Sequence, residues 1–169
     1  MRKKGRSDYG LSVAQERAIG RMTVKFNWME HALEVMIELI LGTDEAGLVS
    51  PLVDWMRFGT KADVLKELVE ALSEHYVPTE ENDKAYQHFV SAVKKLISQA
   101  RQLNTFRNSI VHWRPFLRGS MPRARIDVSA KAIGEKADEM ESVGNELFSR
   151  AVGVRQGDNA LTFGRQFKQ

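Results

Sequence analysis

"QARQLNTFRNSIVHWRPFLRG", residues 99–119, decides how this chain is read. It opens as the end of a helix and stops at Pro115, because the residue before a proline resists the α conformation. Within twelve residues it sets out Arg101, Asn104, Arg107, Asn108 and His112. Upstream the same helix has an ordinary apolar face. With Asn104 at 0° on a wheel of ~100° per residue, Tyr86, Phe89, Val93, Leu96, Ile97 and Ala100 share one arc. Continued downstream, the wheel sets Asn104, Arg107, Asn108 and His112 on or beside that arc. It leaves Val111 as the apolar residue there and points Leu103, Phe106 and Ile110 away from the core. An unpaired polar group costs about 1–3 kcal/mol to bury. Such a cluster is therefore either mutually satisfied or lines a cleft at the end of a helical bundle.

Working outward, the whole chain reads as helices. The long helix is expected over about 80–112, roughly 50 Å of rod. Ser12 with Gln15 three residues on has capping-box spacing. Ala18, Met22, Phe26, Met29, Leu33, Met36, Ile37 and Ile40 follow at helical steps. Ser50-Pro51 reads as an N-cap and first helical residue of a short helix ending at Gly59, and Thr60 opens another that runs to about Tyr76. Residues 114–128, with two prolines, lose the period and suggest a short hairpin or loop. Ser129 caps a last helix to about Arg150. The expected fold is all-α, an up-and-down bundle of four to five helices with one long helix ending at the Arg/His stretch. Residues 1–11 form a basic flexible N-terminus, 12–150 the bundle and 151–169 a tail.

Composition narrows the chemistry. With 169 residues the chain can build one domain with a real core. There is no cysteine, which removes disulfides, thiolate metal sites and a cysteine nucleophile and fits a cytoplasmic location. No apolar run is long enough to span a bilayer, so no membrane role is expected. The four histidines show no metal-ligand spacing, so neither a metal nor a cofactor is expected. Residues 84–126 hold nine Lys and Arg and no Asp or Glu; the chain's net +3, less these nine, leaves −6 for the rest. The basic segment either pairs with acidic helices elsewhere or faces an anion, most often nucleic acid. Arg101, Arg114, Arg118, Arg123 and Arg125 are its candidate RNA contacts. Trp28, Trp55 and Trp113 are candidate base-stacking or packing residues, with Trp113 nearest the cluster.

Arg107 and His112, five apart, project about 140° from each other on an ideal helix. Either the helix loosens before Pro115 or a second copy of the chain completes the pair, as a two-fold dimer would.

"RNSIVH", residues 107–112, resembles the Arg-x4–6-His motif of HEPN domains, an all-α superfamily of ribonucleases and nucleotide-binding proteins. The likeness includes the Asn after the Arg (Asn108), the apolar pair before the His (Ile110, Val111), and the place at the end of a long helix. "FNWMEHAL" resembles the first-helix pattern of some HEPN-like bacterial proteins, with Asn27 and Glu30 in matching places. The resemblance implies a cytoplasmic homodimer, a toxin or defence effector, whose two motifs cut RNA without metal or cofactor. Arg107 would stabilise the phosphorane, His112 would move protons, and Asn108 would orient the phosphate or the imidazole. Asn104, Asn27 and Glu30 would support them by hydrogen bonds. It also implies an antitoxin or regulatory protein as a partner. Some HEPN toxins carry a Tyr two residues after the His, a site of modification; Arg114 stands there, so that regulation is not carried over. Other HEPN domains are non-catalytic and bind nucleotide, RNA or a protein partner.

Overall fold

The computed structural model describes residues 11–41, 51–75, 83–112 and 129–156. They form an all-α bundle. Four long helices, α1 (Val13–Leu41), α2 (Phe58–His75), α3 (Asp83–Val111) and α4 (Ala130–Gln156), are joined by a helical turn at 51–54 that leads into α2. None of the helices is long and apolar enough, among the described residues, to cross a membrane.

The starts follow their capping chemistry. Ser12 N donates to Gln15 Oε1 at 2.9 Å and Gln15 N donates to Ser12 Oγ at 3.2 Å, a reciprocal capping box. Ala132 N donates to Ser129 Oγ at 3.1 Å at the head of α4. Two boundaries differ from expectation. Gly59 and Thr60 do not separate helices: the Lys61 amide already donates to the Arg57 carbonyl at 3.0 Å, and α2 begins at Phe58, whose buried ring fixes the entry. The last helix also passes Arg150 and reaches Gln156, because Leu147 and the buried Ala151 continue its apolar stripe. The expected hairpin or loop at 114–128, the N-terminus up to residue 10 and the tail beyond 156 lie outside the described residues.

The frame is the pairing of α1 with α4. Arg21 meets Asp138, Lys25 meets Glu141, and Trp28 Nε1 donates to Asn145 Oδ1 at 2.9 Å, at sequence separations of 117, 116 and 117. A constant separation means two parallel helices in register. Their buried positions alternate steps of four and three: Met22, Phe26, Met29, Leu33, Met36, Ile40 on α1, and Ile133, Ala137, Met140, Gly144, Leu147, Ala151 on α4. That 3.5-residue mean spacing is the seam of a coiled coil. At its middle Gly144 lets the backbones close: a Cβ there would lie 2.7 Å from Trp28 Cδ1 and 3.1 Å from Met29 Cα.

On the other side, α2 and α3 run antiparallel. Lys94 reaches Glu70 at 3.4 Å and Arg101 pairs with Asp63, so seven residues up α3 match seven residues down α2. Where α1 and α2 touch they run in the same sense, Phe58 on Phe26 and Lys61 on Glu30 and Glu34. Direction thus alternates from α2 through α4, and α2 lies alongside the middle of α1 in the same sense.

Candidate functional site at the end of the third helix

The apolar stripe of α3 does not stay on the arc that a strict 3.6-residue wheel gives it. Tyr86, Val93 and Ala100 are buried at seven-residue steps, and so are Phe89, Leu96, Leu103 and Ile110. A seven-residue repeat drifts about 20° per heptad relative to an ideal helix, so three heptads turn the core face by about 60°. This corrects the wheel's assignments. Leu103 and Ile110 are core and Phe106 is half-buried, whereas Val111 is 44% exposed. Asn104 and Asn108 are half-buried flank positions, and Arg101 and His112 are exposed. Of the polar cluster, the heptad after Tyr86, Val93 and Ala100 leaves one residue on the core stripe, Arg107.

Arg107 lies half-buried with its guanidinium carbon 4.9 Å from the centre of the Phe26 ring. A cation over an aromatic face gains about 0.5–2 kcal/mol. Phe26 in turn packs on Phe58, ring centres 5.1 Å apart, which ties α1, α2 and α3 together at this level. Arg107 Nη1 donates to Asn108 Oδ1 at 2.9 Å, so the amide expected to orient a phosphate or an imidazole holds the guanidinium instead. Arg107 Nε is buried without a hydrogen-bond partner, and no carboxylate pairs with Arg107 among the described residues. His112 N donates to the Asn108 carbonyl at 2.9 Å, so the helical ladder continues through the histidine rather than loosening. Within one chain Arg107 therefore faces the bundle and His112 faces solvent, and the structure does not bring them together.

Glu30 supports a different partner from the one expected. It accepts from Lys61 Nζ at 2.9 Å, and Glu34 accepts from the same ammonium, while His31 Nδ1 lies 3.2 Å from Glu34 Oε2. Neither Asn104 nor Arg107 is bonded to Glu30 or to the exposed Asn27. Lys61 is only 4% exposed. Burial by itself pulls its pKa down; hydrogen bonds and charge attraction from Glu34 and Glu30 outweigh that and hold it above its usual value. A signal for it is present in the sequence: Lys61 stands beside Ala62 and one turn before Leu65 on the apolar stripe of α2. A lysine there needs carboxylates, and α1 supplies two.

Part of the basic segment is neutralised. Arg101 pairs with Asp63 and Lys94 with Glu70, so α2 supplies acids that α3 lacks. Arg57, exposed just before α2, has no carboxylate partner among the described residues, and six further residues along the α2/α3 register bring Arg107 level with it. Trp113, Arg114, Arg118, Arg123 and Arg125 lie outside the described residues. Among the tryptophans, Trp28 packs against Phe148 and Asn145 on α4, whereas Trp55 is 89% exposed. A groove of about 320 Å³ between α3 and α4 is lined by Leu103, Phe106 and Val143 with Glu139, Glu146 and Lys136, whose ammonium is paired with Glu139, so its charge is net negative and a poor setting for an anion. Among the described residues no group of three His, Asp or Glu side chains is placed to hold a metal ion.

Comparison with family models, with curated proteins and with solved structures finds no match.

Proposed function

We propose that this chain is a metal-independent endoribonuclease that works as a homodimer in the cytoplasm, as a toxin or defence effector, with Arg107 of one copy and His112 of the other in one cleft. The observation that carries the reading is the state of Arg107. It occupies a core position of the heptad, its Nε has no partner, and no carboxylate among the described residues balances its charge. A partly buried guanidinium without a counter-ion is costly unless an anion completes it. A phosphodiester is such an anion, and the planar fork of Arg suits two of its oxygens. His112 stands exposed a little more than one turn further on, where its imidazole is open to a substrate and can serve as a general acid and base.

In this reading the RNA's own 2′-hydroxyl attacks the neighbouring phosphorus. The 2′-oxygen–phosphorus bond forms and the bond from phosphorus to the 5′-oxygen breaks, leaving a cyclic phosphate. His112 takes the hydroxyl proton and, as imidazolium, returns a proton to the leaving 5′-oxygen. Arg107 stabilises the charge that builds on the phosphorane. Asn108 fixes the guanidinium, as its 2.9 Å bond to Nη1 already does.

The half-burial of Arg107 on Phe26 favours a second reading, a non-catalytic HEPN-like module that binds nucleotide, RNA or a protein partner such as an antitoxin at the same place. RNA cleavage in EDTA separates the two. The enzyme reading expects cleavage that survives the chelator and falls at least about a hundredfold in both Arg107→Ala and His112→Ala. Cleavage by either variant at the wild-type rate would remove the catalytic roles of both residues.

A further inference from the structure

We infer that Trp55 is a stacking platform for a base of the single-stranded RNA whose phosphate Arg107 holds; the inference rests on the nuclease reading and extends its site to the turn before α2. Tryptophan is rarely left in water on an ordered segment, because its large apolar surface gains from burial. Trp55 is 89% exposed on a turn that is nevertheless pinned at both ends. Val53 and Phe58 are buried, and Met56 N donates to the Val53 carbonyl at 3.0 Å. The backbone is thus held in place and the indole is presented to solvent. A base presents a flat π face that such a ring accepts whatever the sequence.

The turn sits at the correct end of the bundle. Three residues after Trp55, Phe58 packs on Phe26, and Phe26 carries the Arg107 guanidinium on its ring. One ring–ring contact and one cation–π contact therefore link Phe58, three residues after the platform, to Arg107. Within residues 51–57 Asp54 offsets Arg57, so the turn brings no net charge. Its contribution is the ring, and the charge for phosphate comes from Arg107. Leu52, 66% exposed on the same turn, enlarges the apolar surface, so a second copy of the chain is the competing occupant, and the experiment separates the two.

The test uses the full chain and a labelled single-stranded 2′-O-methyl oligonucleotide, which lacks the attacking hydroxyl and so reports binding alone. Anisotropy titrations compare wild type, Trp55→Ala, Trp55→Phe and Arg107→Ala, with the oligomeric state measured for each by light scattering. The expected result is roughly tenfold weaker binding by Trp55→Ala at an unchanged melting temperature and oligomeric state, with most affinity kept by Trp55→Phe. A series of oligonucleotides with one abasic position each should contain one on which Trp55→Ala has no further effect, because the stacked base is already missing. If Trp55→Ala binds like wild type while Arg107→Ala is weakened, the platform is refuted and the nuclease reading stands. If Trp55→Ala loses the dimer but each remaining dimer binds RNA as before, Trp55 belongs to the contact between copies and the platform is refuted. If wild type binds no RNA, the nuclease reading fails and takes the platform with it.

Discussion

Two cations enter the interior of this bundle within a turn or two of Phe26, and they are treated differently. Lys61 is almost sealed and has two carboxylates, Glu30 and Glu34, around one ammonium. Arg107 rests on the Phe26 ring, keeps among the described residues a single hydrogen bond, to Asn108, and leaves its Nε unmatched. The first arrangement balances its own desolvation and locks α2 to α1. The second does not, and its deficit is what an incoming anion would repair. The contrast teaches that a buried charge is informative through its partners: a satisfied one reports on the fold, and an unsatisfied one, on the reading proposed above, on a ligand.

The two should answer substitution with opposite signs. Lys61→Ala leaves Glu30 and Glu34 facing each other without the ammonium. Breaking a buried pair costs about 3–5 kcal/mol; both carboxylates keep some contact with water, so about 2–4 kcal/mol is expected for this pair. Urea unfolding followed by circular dichroism measures it, and a loss under about 1 kcal/mol would mean that Lys61 is not the lock. The same lysine sets a pH dependence. Its pKa is raised in the folded state, so its contribution is fully present below the ordinary lysine value and is lost as pH rises through the raised one. Wild type should therefore lose stability in the alkaline range above the usual lysine pKa, and Lys61→Met should not show that component.

The seam of α1 and α4 provides the neutral reference for both. Gly144→Ala places a methyl 3.1 Å from the Met29 backbone and against the Trp28 ring, and overpacking of that kind costs about 1–3 kcal/mol. A melt unchanged by the alanine would show that the two helices can part at no cost.

Arg107→Met is expected to be neutral or to stabilise by up to about 1 kcal/mol: the thioether keeps packing on Phe26, and removal of the unmatched Nε offsets the lost cation–π contact and Asn108 bond. The same variant should lose RNA cleavage. A melt that drops by several degrees instead would place Arg107 with Lys61, as a residue of the fold whose polar cluster is internal. His112→Ala, on an exposed position, should shift stability by no more than about 0.5 kcal/mol. It should abolish cleavage all the same, which separates chemistry from folding.

Much of the fold is legible in the residues. The capping pairs Ser12/Gln15 and Ser129/Ala132 and the apolar steps of α1 point correctly to the helix starts and the core. Local signals do this because caps and stripes act within a turn or two. The end of α3 misleads a helical wheel for a physical reason. A small drift between 3.6 and 3.5 residues is invisible over one heptad, but over three it moves Leu103 and Ile110 inward and Val111 outward. The start of α2 misleads because Gly59 and Thr60 carry strong local signals, which tertiary packing of Phe58 on Phe26 overrides. Around the site, the Arg107–Asn108 bond follows from adjacency. The Lys61–Glu30 bond joins two helices, and the pattern within either one cannot show which lysine a glutamate will meet. The same limit hides the exposure of Trp55: a sequence does not say which of three tryptophans the fold will cover.

The most direct measurement mixes the two inactive variants. Arg107→Ala and His112→Ala are purified separately, combined under conditions that exchange subunits, and assayed for RNA cleavage in EDTA. If Arg107 of one copy works with His112 of the other, each mixed dimer regains one intact site, and random pairing returns up to about a quarter of wild-type activity. If both variants fold and exchange yet the mixture stays as inactive as its parts, the shared site is contradicted.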